Sequence, residues 1–242
     1  MPQHPAPINA VRFRTTIKMA ISKLQFIQEK KAALTKQQRR QLADLLSSGK
    51  ESSAKIRVEN IIRDDISIEL LEYLELYCEL ILARLSLIID NPTCEESLLE
   101  AVYSVIYSAP HSELKELTQL RELLIYKFGP EFGKKAIEND GGHVPEKILK
   151  RCRIPPPSEE LVNLYLCEIA KTYGAPYSGL KDLVSIDDDE KGADSDDHDD
   201  PSSGVGVQNL EKPIAEPEEP AKKPKEVDEL DALKARFAAL KR

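Results

Sequence analysis

Tryptophan is absent from this 242-residue sequence, and aromatic residues make up only 5% of it. A hydrophobic core must therefore be built mainly from leucine, isoleucine and alanine. Glycine is also scarce, at 10 residues, which argues against a glycine-rich loop that cradles phosphate. The GxSxG, HExxH and GxGxxG patterns do not occur either. These absences predict a protein that is not an enzyme.

The sequence also lacks the spacings of a metal site. Its four cysteines, Cys78, Cys94, Cys152 and Cys167, form no C-x-x-C pair, and the four histidines are not grouped with them. We therefore predict no zinc site and no cofactor. The acidic stretch 187–200 lacks the central glycine and final glutamate of a calcium loop.

No segment reaches the roughly 20 apolar residues of a membrane span. The first residues show no apolar run of signal-peptide type. Together with the incidental thiols, this pattern predicts a reduced, cytoplasmic protein.

The net charge of −8 comes entirely from the last quarter of the chain. Residues 1–183 carry 25 basic and 25 acidic side chains, whereas residues 184–242 carry 9 and 17. Within the first part, residues 1–50 have a net charge of +8 and residues 51–100 one of −8. This polarity predicts either two antiparallel partners or a face offered to an anionic surface.

Two long runs of helical periodicity open the sequence. The first extends from about Ile8 to Leu46, and no proline or glycine interrupts it before Gly49. Its apolar side chains fall within an arc of roughly 140° at 100° per residue. The second extends from about Glu51 to Asp90 and ends at Asn91-Pro92. Two such helices joined by a few residues form a helical hairpin.

Proline and glycine divide the next part of the chain into shorter segments. Helices are predicted at about 93–109, 112–129, 131–139, 144–151 and 158–174. Ser158, followed by two glutamates, has the pattern of a helix N-cap. No segment has the alternation of a credible strand. The predicted fold class is therefore all-α, a long helical hairpin with shorter helices packed on it.

Composition divides the chain into three parts. Residues 1–183 hold the periodic helical pattern of a folded domain. Residues 184–226 are acidic and proline-rich, and they cannot bury enough apolar area to offset chain entropy. We therefore predict a disordered linker there. Helical periodicity returns in residues 227–242, which we predict to form a terminal amphipathic helix.

The first helix carries cations on the side opposite its apolar face: Arg12, Arg14, Lys18, Lys23, Lys30, Lys36 and Arg40. Such a face binds an anionic membrane or an acidic partner in some proteins. In others it is only solvated, or it pairs with the acidic second helix. Nucleic acid is a poorer partner, because no aromatic residues interleave with the cations.

The last sixteen residues have an apolar stripe at helical spacing, with acidic residues before it and basic residues near its end. The stripe and its flanking cations are Leu230, Leu233, Arg236, Phe237, Leu240 and Lys241. A short amphipathic helix on a flexible tether suits a groove on another protein. The alternative is that it folds back on its own domain.

The folded part resembles the increased-sodium-tolerance (IST) family, whose helical proteins are related to ESCRT-III. The segment RVENIIRDDISIELLEYLELYCELILAR is similar to the second-helix signature of that family. HSELKELTQLRELL, VPEKILKRC and EELVNLYLCEIAKTYGAPYS resemble further blocks in the same order. The resemblance covers about residues 10–180.

The end of the chain resembles the type-1 MIT-interacting motif, through Leu233, Arg236, Phe237, Leu240 and Lys241. That motif has an acidic residue three positions before its first leucine, where this sequence has Leu230. The neighbouring acids lie at positions 228, 229 and 231.

Together these resemblances imply an ESCRT-III-like domain that binds a late-acting ESCRT-III subunit of the charged multivesicular body protein family and co-assembles with it. They also imply regulation of the vacuolar-sorting AAA ATPase through its MIT domain, with its MIT-bearing cofactor as a further partner. The expected location is cytoplasmic, at the periphery of endosomal membranes, in multivesicular-body sorting and membrane scission. The alternative is a membrane-shaping helical module that acts mainly through its basic first helix.

Overall fold

The computed structural model describes residues 9–153 and 155–180, and within them the regular structure is entirely helical. The helices are α1 (Ala10–Ser47), α2 (Glu51–Ala83), α3 (Leu85–Asp90), α4 (Glu96–Ser108), α5 (Lys115–Phe128), α6 (Pro130–Glu138), α7 (Glu146–Arg153) and α8 (Glu159–Tyr173). A short 3₁₀ turn, Ala109–His111, links α4 to α5. The predicted all-α class is confirmed.

The hairpin of α1 and α2 is the longest feature of the fold. Asn9 caps α1 through its side-chain oxygen, which accepts hydrogen bonds from the backbone N–H groups of Val11 and Arg12 at 3.0 and 3.1 Å. With 38 residues, α1 is about 57 Å long. Gly49 follows with φ of +72°, a conformation that favours glycine and turns the chain into α2.

The core fills the open end of the hairpin, where α1 begins and α2 ends. Phe13, Ile17, Ala20 and Leu24 bury one stripe of α1 against Leu74, Cys78 and Ile81 of α2. There α4 packs on α2 and α5 packs on α1, while α6 bridges α4 and α5. All residues from Ala101 to Ile106 are buried, so α4 has no solvent-exposed side over this stretch.

Three predicted boundaries differ from the structure by three residues or more. The second long helix breaks at Arg84 (φ −107°, ψ 29°), and the chain continues as the separate helix α3. Neither proline nor glycine marks this break. The buried Lys127 of α5 donates a hydrogen bond of 2.8 Å to the carbonyl of Ile89, which satisfies an end-of-helix acceptor through tertiary contact.

The other two differences concern helix starts. Helix α4 begins at Glu96 rather than Thr93, and α5 begins at Lys115 rather than Ser112. Before α5, the chain forms the 3₁₀ turn and then adopts a positive φ at Glu113 (55°). The residues that the periodicity assigned to the start of a helix are therefore not helical. In contrast, the predicted N-cap is confirmed, because the Ser158 side chain accepts from the N–H of Leu161 at 3.3 Å.

Helix α8 lies apart from the α4–α7 layer, against both α1 and α2. After α8, the segment around Tyr177 returns toward the closed end of the hairpin. Ser178 donates two hydrogen bonds to the Glu51 carboxylate, 3.0 Å from its backbone N–H and 2.6 Å from its hydroxyl. These two bonds lower the pKa of Glu51 and fasten the end of the described domain to the start of α2.

Candidate interaction surfaces

A buried polar cluster joins the three helices at the closed half of the hairpin. Arg39 of α1 forms an ion pair with Asp65 of α2 at 2.5 Å, and both side chains are nearly inaccessible to solvent. The Tyr165 hydroxyl of α8 donates a hydrogen bond to Asp65. Burial raises the pKa of Tyr165, and the negative charge of Asp65 raises it further. The hydroxyl therefore stays protonated and can donate the hydrogen bond that holds α8 against α2.

Polar contacts continue along the α1–α2 seam toward the open end. Lys31 donates to Asp64 at 3.1 Å and to the Ser67 hydroxyl at 3.0 Å. Further along, Gln25 and Gln28 donate to the two carboxylate oxygens of Glu75 at 2.6 and 2.7 Å. Some of the basic and acidic side chains of the two helices thus pair with each other or with polar partners across the hairpin.

Sequence reasoning did not single out the two cations that form these ion pairs. Lys31 and Arg39 are not among the seven predicted surface cations, and each of them faces α2. A signal existed for Arg39. It lies three residues before Leu42 and seven before Leu46, and both leucines are fully buried. A cation in register with a buried apolar stripe predicts a buried partner.

The seven predicted cations of α1 have a different environment. Six of them are exposed, and Lys23 is half-buried with its Nζ 5.3 Å from the ring centroid of Phe26. None of the seven forms an ion pair with any residue in the described ranges. Their charge is therefore left on the surface, rather than being used to hold α2.

Large apolar side chains lie on the same exposed side of α1. Met19 and Phe26 are 53% and 58% exposed and are seven residues apart, so they share a helix face. Lys30 lies one turn beyond Phe26, at the edge of this face. An exposed apolar pair beside cations is typical of a binding surface.

Helix α7 is attached to α2 by a second polar contact that sequence reasoning missed. Arg151 donates to Glu69 through its Nε at 2.7 Å and forms an ion pair with it. The Tyr73 ring lies beneath two cations, 4.6 Å from Lys147 Nζ and 5.3 Å from the Arg151 guanidinium. Spacing along the sequence carried no signal for this contact, because the partners are about 80 residues apart.

The thiols form no reactive or metal-binding group in the described part of the chain. All four cysteines are free, and burial raises the pKa of Cys78 to about 12. Among residues 9–153 and 155–180, no three histidine, cysteine, aspartate or glutamate side chains are grouped as metal ligands. No helix in those ranges is long and apolar enough to cross a bilayer.

The predicted docking residues at the end of the chain lie outside the described residues. This applies to all six of them: Leu230, Leu233, Arg236, Phe237, Leu240 and Lys241. The predicted linker, 184–226, also lies outside.

The described part of the chain is thus a helical-hairpin domain in which buried polar contacts hold helices together. Its exposed faces carry cations and apolar side chains, as in a protein that acts by binding. A family model named Ist1, described as "Regulator of Vps4 activity in the MVB pathway", matches residues 14–176. The chain belongs to this family, which confirms the resemblance seen in the sequence.

Individual relatives agree with this assignment. The chain is 47% identical over 214 residues to the vacuolar protein sorting-associated protein IST1 of Saccharomyces cerevisiae, covering 84% of this chain and 70% of the relative. It is 32% identical over 180 residues to the Schizosaccharomyces pombe ist1 protein, covering 72% and 65%. An IST1-like protein of Dictyostelium discoideum is 30% identical over 171 residues, and only 46% of its length is matched.

A solved structure shows the same fold. The Saccharomyces cerevisiae Ist1 N-terminal domain, crystallised in complex with a Did2 MIM motif, is 48% identical in sequence and superposes with a TM-score of 0.67. The match covers 71% of this chain and 95% of the crystallised domain.

Proposed function

We propose that this chain is an ESCRT-III-associated assembly factor with two binding functions. Its helical domain binds the MIM motif of a late-acting ESCRT-III subunit. Its terminal segment binds the MIT domain of the vacuolar-sorting AAA ATPase Vps4, and so recruits and regulates that ATPase in multivesicular-body sorting. This function calls for no catalytic group and places the protein at endosomal membranes through its partners.

One observation supports the first binding function most directly. The relative that was crystallised with a Did2 MIM motif shares its helical domain with this chain at 48% identity. The test is isothermal titration calorimetry, in which a Did2 MIM peptide is added to the full-length chain. Saturable one-to-one binding is the expected result. The protein is first shown to be folded. If the titration then releases or absorbs no measurable heat of binding at either of two temperatures, this half of the proposal is contradicted.

The second binding function depends on the terminal motif. An amphipathic helix that places Leu233, Phe237 and Leu240 on one side presents three apolar anchors to a groove on a helical MIT domain. Arg236 and Lys241 flank those anchors and suit acidic side chains on the rim of the groove. The ESCRT-III-subunit partner and the ATPase partner would then bind different parts of the chain.

Leu240→Asp is expected to weaken binding to the Vps4 MIT domain by about thirtyfold or more. Truncation of an enclosed leucine removes ~2 kcal/mol, and the introduced charge adds a desolvation cost. Arg236→Ala should weaken binding less, through one lost charge-assisted hydrogen bond. The measurement is calorimetric titration of the full-length variants into an isolated MIT domain.

Ala235→Asp is the matched control, because five residues' separation puts it on a different helix face from Leu240. It should bind almost as well as the unchanged chain. If Leu240→Asp and Ala235→Asp weaken binding equally, the stripe is not the anchor and the motif assignment fails.

A second candidate function is supported by the exposed face of α1. We propose that its cations, Arg12, Arg14, Lys18, Lys23, Lys30, Lys36 and Arg40, hold the protein on anionic membrane, with Met19 and Phe26 at the interface. Each basic side chain near such a surface contributes about 1 kcal/mol. Exposed apolar side chains between cations add binding that salt does not screen.

Reversing Lys30 and Lys36 to glutamate is expected to remove most co-sedimentation of the full-length chain with phosphatidylserine-rich vesicles. The control reverses Lys55 and Arg57, two exposed cations of α2 outside this face. Equal loss in both variants would indicate a non-specific charge effect. An unchanged chain that fails to sediment with vesicles rejects the membrane function and leaves the MIM and MIT functions untouched.

A further inference from the structure

A pair of hydrogen bonds joins the segment after α8 to the first residue of α2. Ser178 donates to both oxygens of the Glu51 carboxylate, from its N–H to Oε1 at 3.0 Å and from its hydroxyl to Oε2 at 2.6 Å. The two residues are 127 positions apart in the sequence. We call this contact, between Ser178 and Glu51, the latch. It holds the segment at the closed end of the hairpin.

The segment that carries the latch is also attached to α8. Tyr177 is buried, and its hydroxyl donates to Oδ1 of Asn163 on α8 at 2.8 Å. Further along α8 toward its C-terminal end, Tyr165 donates to Asp65 of α2. Polar contacts therefore hold α8 to α2 at two places, directly through Tyr165 and indirectly through the latch.

The Ser178 hydroxyl differs from other hydroxyls in the described ranges. Those of Thr16 and Ser47, for example, donate to a backbone carbonyl four residues earlier in the same helix. Such bonds are local and hold no second element. The Ser178 hydroxyl instead contacts a charged side chain of a distant helix, and Ser178 is exposed, in a turn that follows the non-helical residues 175–177. An exposed, non-helical hydroxyl is accessible to a modifying enzyme.

The charge at the latch makes it sensitive to a phosphoryl group. The hydroxyl and N–H of Ser178 lower the pKa of Glu51, and the charge of Lys55 lowers it further, so Glu51 is ionised at neutral pH. A phosphoserine carries a charge of about −1.5 to −2 at pH 7. On Ser178 it would replace the hydroxyl hydrogen that Glu51 accepts and would place a second negative group beside the carboxylate.

We propose that Ser178 is a phosphorylation site, at which a serine kinase opens the latch and frees residues 174–180 from the start of α2. The kinase transfers the γ-phosphoryl group of ATP. A bond forms between Ser178 Oγ and the γ-phosphorus, the bond from that phosphorus to ADP breaks, and the hydroxyl proton passes to the kinase. The segment then leaves Glu51, because the two negative groups repel and the hydroxyl donor is lost. Tyr165 keeps its contact, so the domain stays folded while the end of α8 loosens.

The first test measures the release. Phosphoserine is incorporated at position 178 of the full-length chain during translation, and hydrogen–deuterium exchange is followed by mass spectrometry. Peptides from residues 174–180 should exchange about tenfold faster than in the unmodified chain, as expected when the latch bonds are lost. Phosphoserine at Ser86, an exposed position on α3, is the matched control and should leave their exchange unchanged.

Charge reversal at Glu51 separates repulsion from a general effect of the modification. Glu51→Lys should restore slow exchange in the chain with phosphoserine at 178, because an ammonium group pairs with phosphate. Without the phosphate, the same substitution should speed exchange, since Ser178 loses its acceptor. If phosphoserine at 178 leaves exchange unchanged or slows it while Glu51 is present, the phosphate is held by Lys55 or by the positive end of α2, and the proposed release is wrong.

The second test asks whether the site is used. The full-length chain is expressed in Saccharomyces cerevisiae, purified with phosphatase inhibitors and mapped by tandem mass spectrometry. Phosphoserine is expected at position 178, and Glu51→Gln, which weakens the latch, should raise its occupancy severalfold. If the peptide that contains Ser178 is recovered only in its unmodified form from both chains, the kinase step is rejected.

Discussion

Leu74→Asp is expected to leave the chain insoluble or without cooperative unfolding. Leu74 has no solvent exposure and lies in the core between α1 and α2. An aspartate there is surrounded by apolar side chains and has no partner, so it costs several kcal/mol whether it stays charged or takes up a proton. Domains of this size are stable by about 5–15 kcal/mol, so one such substitution removes a large part of the total.

The measurement is urea unfolding followed by circular dichroism, together with the soluble yield. Leu76→Asp is the matched control, because it makes the same chemical change two residues away at a side chain that is 60% exposed. It should alter stability by less than about 1 kcal/mol. If Leu74→Asp unfolds cooperatively at nearly the same urea concentration as Leu76→Asp, the packing described for the hairpin is wrong.

Asp65→Ala is expected to destabilise the chain by about 3–5 kcal/mol, because it leaves Arg39 buried without its counter-charge. The exposure of the side chains decides this magnitude, at 8% for Arg39 and 12% for Asp65. The substitution also removes the acceptor of the Tyr165 hydroxyl, and so it loosens α8 at the same time. Chemical denaturation at neutral pH measures the loss.

A second ion pair in the same seam provides the control. Lys31 and Asp64 are 32% and 34% exposed and pair at 3.1 Å. Asp64→Ala should therefore cost less than about 1 kcal/mol, since solvent screens a pair that is about one-third exposed. Replacing Arg39 and Asp65 together by methionine and leucine should recover much of the stability, because no buried charge remains. Equal losses for Asp64→Ala and Asp65→Ala would contradict the burial of the cluster.

Several elements of the fold could be predicted because their causes are local. The start of α8 depends on the Ser158 side chain and a backbone N–H three residues away. The end of α1 depends on a glycine with a positive φ. Each follows from neighbouring residues, and both predictions are confirmed. The break at Arg84 has no such local cause and was missed.

The candidate surfaces likewise include features with a local cause in the sequence and features that depend on tertiary packing. The exposed cations of α1 and the terminal motif follow from helical spacing, which places residues three or four apart on one face. Arg39 lies outside the predicted cationic face and pairs with Asp65 of α2. Its spacing to Leu42 and Leu46 indicates that it faces inward, but which residue it meets depends on how the neighbouring helices pack.

The all-helical class, the hairpin and the family follow from the sequence alone, and the terminal motif stays a prediction from it. Each of these depends on periodicity, on capping residues or on sequence motifs that lie within a few helical turns. The meeting of Arg39, Asp65 and Tyr165 and the contact between Arg151 and Glu69 depend on tertiary packing. These contacts join residues 26 to 100 positions apart, and their partners are chosen by how the helices pack.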